Sequence, residues 1–284
     1  MTGGVALIVK PPGCSSHDVV ATLRRRVGLP CGHLGTLDPL AAGLLVVAAG
    51  RTTRLLRYAG GQDKEYLAEV WLGVGTPSDD FGTAVEQKAD AAHLGEADVA
   101  AALTHLRRET LQAPPAFSAR QVGGERAYRA ARAGRPLELP MRPAQLHVAE
   151  ILDLRPGPTL RLRLRLKVSA GYYVRALARD LGARLGVPGA LAFLLRTASG
   201  PFLLERARTL EEQPELLPPD LLLDGLPRVD FAEAEGRRLV LGQRLPGAGD
   251  REGRVAAYLG GRLIAVAVAR QGVYHPETVL GLED

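Results

Sequence analysis

Asp38 is the residue of this chain best placed to do chemistry. It stands in the run Gly32-His33-Leu34-Gly35-Thr36-Leu37-Asp38-Pro39. Two glycines let backbone come close to another group, and Pro39 holds the residue before it extended. A carboxylate presented on such a stiff turn can serve as nucleophile or base. The same Asp-Pro pair also suits a plainer task, capping a helix that begins at Pro39. The company Asp38 keeps is what favours chemistry.

Four further segments carry polar groups at strand ends and turns. Lys10-Pro11-Pro12-Gly13-Cys14-Ser15-Ser16-His17-Asp18 reads as a strand end, a Pro-Gly turn and a capped helix, which leaves Lys10 unexplained. Asp63-Lys64-Glu65-Tyr66 reads as a charged turn entering a strand whose Tyr66 packs inward. Ser169-Ala170-Gly171-Tyr172-Tyr173-Val174-Arg175, followed by Arg179-Asp180, reads as a helix start with a charged face. Leu194-Leu195-Arg196-Thr197-Ala198-Ser199-Gly200 reads as a core strand running into a turn. Cys14, His17, Cys31 and His33 form C-x-x-H and C-x-H pairs, which match no established zinc spacing. No metal site is expected.

These residues must be held by a regular scaffold, and its elements are legible. Residues 5–9 predict a buried strand. Ser15 with Asp18 three residues on predicts a capped helix over the apolar positions 19, 20, 23 and 27, stopped by Gly28 and Pro30. Residues 31–39 are expected to be loop, 40–49 to return to the core, and 51–58 to be helical. Residues 64–73 predict a strand with Tyr66, Ala68, Val70 and Leu72 on one face, and 76–82 an acidic turn. Helices are expected over 96–108 and 172–185. Residues 160–168 alternate leucine with arginine or lysine, the pattern of a half-buried strand with a basic face. Residues 114–142 lack strand patterning and carry many arginines, as a binding excursion would. A Pro- and Leu-rich linker is expected at 213–227. Strands follow at 237–241, 255–259 and 263–269, the last two joined by a Gly260-Gly261 turn.

Composition narrows the partners. The chain has 284 residues, enough for a core without staples, and two cysteines, which do not make a disulfide framework. The net charge of +5 suits an anionic partner. Arginine outnumbers lysine 32 to 4, as GC-rich coding alone would produce, so placement matters more than number. Arg51, Arg54 and Arg57 make one ridge, and Arg126, Arg129 and Arg132 another with Tyr128 between them. One such ridge is ordinarily a solvated face; several with tyrosines nearby fit a surface that tracks phosphates and stacks bases. No stretch of 18 apolar residues and no basic, apolar leader is seen, so a cytoplasmic protein with no membrane partner is expected.

Together the segments K-P-x-G-x-S-S-H-D, G-H-x-G-T-L-D-P, D-K-x-Y, P-P-x-F-S-A and G-x-Y-V-R-x-L-x-x-D-L-G resemble the bacterial tRNA pseudouridine-55 synthases, the B-type family. The resemblance covers residues 5–201 and is looser beyond. It implies an α+β fold with a central mixed or antiparallel sheet flanked by helices: a catalytic domain over 1–226, then a small β-rich, PUA-like RNA-binding domain over 227–284. The implied reaction isomerises uridine 55 in the T-loop of tRNA after base flipping, without metal or cofactor, by a monomer needing no protein partner, with tRNA folding as an accompanying activity.

The resemblance also implies roles. Asp38 is the essential carboxylate, attacking C1′ of the ribose or C6 of the base, or removing a ribose proton. Arg175 pairs with it through a bidentate guanidinium. Tyr66 stacks on the target base and helps remove the C5 proton. His33 meets RNA beside the flipped nucleotide. Tyr173 and Leu195 line the uracil pocket. Lys10 supports the Asp38 loop or meets phosphate, and 114–142 clamps the T-arm. Two rivals stand beside this reading, an RNA-binding or RNA-folding module without turnover and a guide-RNA-dependent synthase.

Overall fold

A computed structural model describes residues 3–282. The main sheet uses β1 (Gly3–Lys10), β2 (Cys31–Leu34), β3 (Ala42–Gly50), β4 (Lys64–Leu72), β5 (Leu146–Arg155), β6 (Leu160–Val168) and β7 (Gly189–Ser199). Helices α1 (Ser16–Val27), α2 (Glu96–Arg108), α3 (Ala127–Arg132) and α4 (Val174–Arg184) interrupt them. The sheet order is β1-β3-β7-β4-β6-β5, with β2 on β3 and the two-residue strand Phe202–Leu203 on β7. Only the β3–β7 pair is parallel; the other pairings in this sheet are antiparallel.

Alternation explains the packing. In β4 and β6, Tyr66, Ala68, Val70 and Leu72 join Leu160, Leu162, Leu164 and Leu166 in one core with α2 and α4. The opposite face of β6 is basic, as expected, and is laced to its neighbours: Arg163 meets Glu69 at 3.4 Å, and Arg165 meets Glu65 and Glu150 at 3.7 and 3.5 Å. The apolar run at the heart of β3 is buried on both faces. Leu45 and Val47 pack on α1, while Leu44, Val46 and Ala48 face a second core.

A second sheet is formed by β8 (Arg228–Phe231), β9 (Leu245–Gly249), β10 (Gly253–Leu259), β11 (Arg262–Arg270) and β12 (Gly272–Val279), in the order β8-β10-β11-β12-β9. The expected 260–261 hairpin turn joins β10 to β11. This β-rich unit has a core of its own and also contributes Ala256, Tyr258, Val266 and Leu280 to the core under β1 and β3. Among the described residues, no helix is long and apolar enough to cross a membrane.

Several expectations are corrected. Residues 237–241 are not a strand but lie in and just past α5 (Glu233–Val240), which has Glu233 and Glu235 in its first turn and buries Leu239. Five residues are too few for apolar period to separate strand from helix. The 31–39 segment is not all loop, since 31–34 pair with β3. Residues 51–58 wind as a tighter 3-10 helix. The 213–227 segment is no free linker: Val5 and Leu217 exchange backbone hydrogen bonds of 2.9 and 2.8 Å, and Leu222 and Leu223 are buried. With Arg208, which bonds to Leu7 and Val9, it covers the free edge of β1.

Candidate active site

The loop bearing Asp38 is pinned from two sides. Lys10, at the end of β1, is wholly buried, and its Nζ donates to the carbonyls of Pro11 (2.8 Å), Pro39 (3.2 Å) and Ala41 (2.7 Å). Ser16, the first residue of α1, donates from Oγ to the Leu37 carbonyl (2.9 Å) and accepts from the Leu37 N–H (2.8 Å). The Gly13 N–H donates to the Pro39 carbonyl at 2.8 Å. The first strand-turn-helix motif is thus the clamp for the Asp38 loop. No helix begins at Pro39, and Asp38 caps nothing. Its side chain is 42% exposed and opens into a cavity of about 440 Å³.

Arg175, the second residue of α4 and 6% exposed in its side chain, ties three segments together. Its Nε donates to Asp38 Oδ2 (2.9 Å), its Nη1 to the Ser78 carbonyl (2.9 Å) and its Nη2 to the Phe117 carbonyl (3.0 Å). The expected bidentate fork is therefore corrected to a single contact, because the two terminal nitrogens are taken by backbone. A second carboxylate, Asp80 Oδ2, lies 3.6 Å from the same Nε. Its Oδ1 accepts from Ser78 Oγ (2.6 Å) and the Gly82 N–H (3.0 Å). The acidic 76–82 turn, which sequence marked only as a turn, thus backs the Asp38–Arg175 pair.

Next to it, Asp79 pairs with Arg179 at 3.2 Å. Burial lifts its carboxyl to about 6, against the opposing pull of Arg179 and Arg175.

The cavity walls come from four places. Tyr66, two residues into β4, is 6% exposed and stands opposite Arg196 across the β4–β7 ladder. Burial raises the Tyr66 phenol above its ordinary value, with Arg196 pulling the other way. Tyr173 leads into α4; its N–H and carbonyl are held by the Gln112 amide at 2.9 and 3.1 Å, and its hydroxyl accepts from Arg120 Nε at 3.2 Å. Phe117, Ser118 and Tyr128 bring the 114–142 excursion over the cavity. That excursion holds a small hairpin, Gln121–Val122 with Glu125–Arg126, and the short α3.

One expectation about the pocket changes. Leu194 and Arg196 line it, while Leu195 does not. Neighbours on a strand face opposite ways, so a one-residue shift moves a side chain to the other face. His33 lies on β2 and is not among the lining residues; burial, then Arg196 and His17, hold its imidazole below the usual range. Lys10 does not line the cavity and spends its ammonium on three carbonyls, which leaves it no donor for phosphate.

The two arginine ridges also part ways. Arg51 and Arg54 donate to the carbonyls of Leu280 (2.7 Å) and Val279 (3.0 Å), and Arg57 to Glu277 (3.2 Å) and to the Thr278 hydroxyl. That ridge fastens the C-terminal sheet to the rest of the protein. Arg126, Arg129 and Arg132 remain exposed beside the cavity. Among the described residues no three His, Cys, Asp or Glu groups converge as a metal set would.

The geometry agrees with likeness to known proteins. Residues 25–174 match the family described as TruB family pseudouridylate synthase (N terminal domain). The chain is 46% identical over 244 residues to the tRNA pseudouridine synthase B of Symbiobacterium thermophilum, covering 84% of this chain and 82% of that one. It is 38% identical over 283 residues to that of Carboxydothermus hydrogenoformans, covering 97% and 98%. Among solved structures, one described as an H/ACA RNP bound to a substrate RNA containing 2'-deoxyuridine superposes with a TM-score of 0.73 at 25% identity, over 99% of this chain and 86% of that one. A Cbf5-Nop10-Gar1 complex gives 0.72 at 25%, over 98% and 85%. On fold, motif order and similarity along nearly its whole length, this chain belongs to the TruB family of pseudouridylate synthases.

Proposed function

We propose that the protein converts uridine 55 in the T-loop of tRNA to pseudouridine, with Asp38 as the essential carboxylate. The observation that carries this reading is a part-exposed carboxylate, opening into a nucleotide-sized cavity and held by a buried guanidinium at 2.9 Å. The reaction breaks the bond between N1 and the ribose, turns the uracil, and joins C5 to the same ribose carbon. The target base has to leave its stack to reach Asp38. Tyr66 supplies a flat, buried surface for the base, and Leu194 and Tyr173 enclose it. Arg175 aims Asp38 through the 2.9 Å contact; it acts through Asp38 and is a positioning residue. The raised phenol of Tyr66 holds its proton at neutral pH, so the hydroxyl serves first as a hydrogen-bond donor. To take up the C5 proton it must first give up its own, and Arg196 works against the burial that disfavours the phenolate this leaves.

Residues 114–142 clamp the T-arm, with exposed Arg126, Arg129 and Arg132 on phosphates, and His33 meets RNA near the flipped nucleotide. The unit from 227 onward adds RNA contacts, and remodelling of the tRNA accompanies turnover. The protein works alone, as a cytoplasmic monomer on bare tRNA, without a guide RNA. Purified protein and an unmodified tRNA transcript test this, with pseudouridine mapped by site. A requirement for a second RNA or protein would refute independent action. In the same assay Asp38→Asn is expected to abolish release of the C5 hydrogen while tRNA binding stays within about threefold, since phosphate contacts supply most of the affinity. Turnover by this variant would remove Asp38 from the mechanism.

A further inference from the structure

The cavity lining also carries two cations without an anion. Arg196 is wholly buried, with Nε donating to the Leu44 carbonyl (2.7 Å) and Nη2 to the Gly35 carbonyl (3.0 Å). Its Nη1 is buried without a hydrogen-bond partner among the described residues. Lys64, also on the lining, spends one donor on the Gln62 carbonyl at 2.6 Å. Burial and Arg196 both push its ammonium below the ordinary range. Among the described residues no carboxylate pairs with either. Asp63, next in sequence, is 3.3 Å from His147, and Asp38 is engaged by Arg175.

Gly35 separates the two cations. Its φ is +74°, and a Cβ built there would sit 3.5 Å from Lys64 Cε and 3.6 Å from Arg196 Nη1. The missing side chain leaves space between the end of the Lys64 stem and the buried, unpartnered Nη1 of Arg196. A half-buried ammonium beside a buried guanidinium is repelled by it, and a permanent anion relieves that repulsion. A uracil carbonyl is neutral in the bound state and does not. A phosphodiester carries a full charge at every working pH and has two free oxygens, one for each donor.

We propose that Lys64 and Arg196, spaced by Gly35, form a subsite for one backbone phosphate flanking the flipped nucleotide. The subsite rests on the nucleic-acid reading of the cavity above. It fixes the sugar-phosphate on one side while Asp38 meets the sugar on the other, so it is a binding and positioning site.

The test is a binding cycle on T-arm hairpins. Single 2′-deoxy methylphosphonate linkages are placed 5′ and 3′ of the target uridine, each compared with a 2′-deoxy phosphate at the same place. Wild type, Lys64→Gln and Arg196→Lys are measured. One neutral linkage is expected to weaken wild-type binding about tenfold, and Lys64→Gln to weaken the all-phosphate hairpin similarly, with a salt slope lower by about one. Combined, the two changes are expected to lose no more than either alone. Lys64 is only half-buried, so this arm stands even if the Arg196 variant fails to fold. Losses that multiply at both linkages, or a Lys64→Gln effect on kcat with Kd and salt slope unchanged, would overturn the subsite. Turnover of the all-phosphate hairpin by wild type is read separately. Its absence would refute the enzymatic reading while the binding cycle still decides the subsite.

Discussion

Arg175→Lys isolates the contribution of the guanidinium from that of its charge. Arg175 binds Asp38, the Ser78 carbonyl and the Phe117 carbonyl through three different nitrogens. A lysine ammonium is one point on a flexible stem, and it cannot span three partners on separate segments. At least two hydrogen bonds from a charged donor are lost, each worth about 1.5–3 kcal/mol. The gross loss is thus about 3–6 kcal/mol. Water can reach part of the 114–142 segment, so a measured stability loss of about 2–4 kcal/mol is expected. Catalysis suffers separately, because Asp38 loses the contact that aims it. Misplacing a reacting group by about 1 Å costs about a hundredfold in rate. Single-turnover release of the C5 hydrogen from labelled tRNA should therefore slow by about a hundredfold or more. Binding should change by less than about threefold, because all three Arg175 nitrogens are engaged within the protein and none is left for phosphate. The comparison is made below the melting transition of the variant. A folded Arg175→Lys protein with wild-type single-turnover rates would refute the claim that this guanidinium positions Asp38.

Tyr66→Phe is expected to cut kcat by about tenfold or more while leaving Kd within about twofold, as loss of one aimed hydroxyl would; equal rates would confine Tyr66 to stacking. Lys10→Met takes the ammonium from the buried Ala41 carbonyl and from the part-buried carbonyls of Pro11 and Pro39, so thermal or urea unfolding should show about 1–3 kcal/mol less stability, with kcat falling as the Asp38 loop loosens. An unchanged midpoint would mean that water takes over the ammonium's role. Asp79 gives a pH dependence. Native Asp79 holds its proton to about 6, whereas the unfolded chain releases it near 3.8. The native state binds the proton more tightly, so this contribution is complete below 3.8 and is lost as the pH climbs through 6. Its size is roughly 3 kcal/mol at most. Asp79→Asn should flatten that part of the stability profile in urea titrations, and a profile parallel to wild type would exclude Asp79 as its source.

Local signals were legible where short-range physics decides the outcome. The Ser15–Asp18 capping box, the Gly28 stop and the span of α1 follow from local hydrogen bonds and backbone freedom, and all are present. The alternation in 160–168 fixed both the strand and its buried face. The error at 237–241 came from the same source, since a short apolar cluster has no period to read. The Leu194–Leu195 exchange is a register question, settled by which face of β7 meets the cavity.

What the sequence determined by itself was the set of candidate site residues around Asp38, most of the elements carrying them and the family they mark. What only the tertiary structure decided was the pairing of charges. Arg175 reaches across 137 positions to Asp38, and Arg51, Arg54 and Arg57 across more than 200 to the last strand. A basic ridge looks the same in sequence whether its partner is a phosphate, water or a distant carbonyl. Burial of Lys10 and the free nitrogen of Arg196 are equally invisible there. The reason is that spacing along a chain reports which side chains share a face, whereas the partner of a charge depends on segments that only folding brings within a few ångströms.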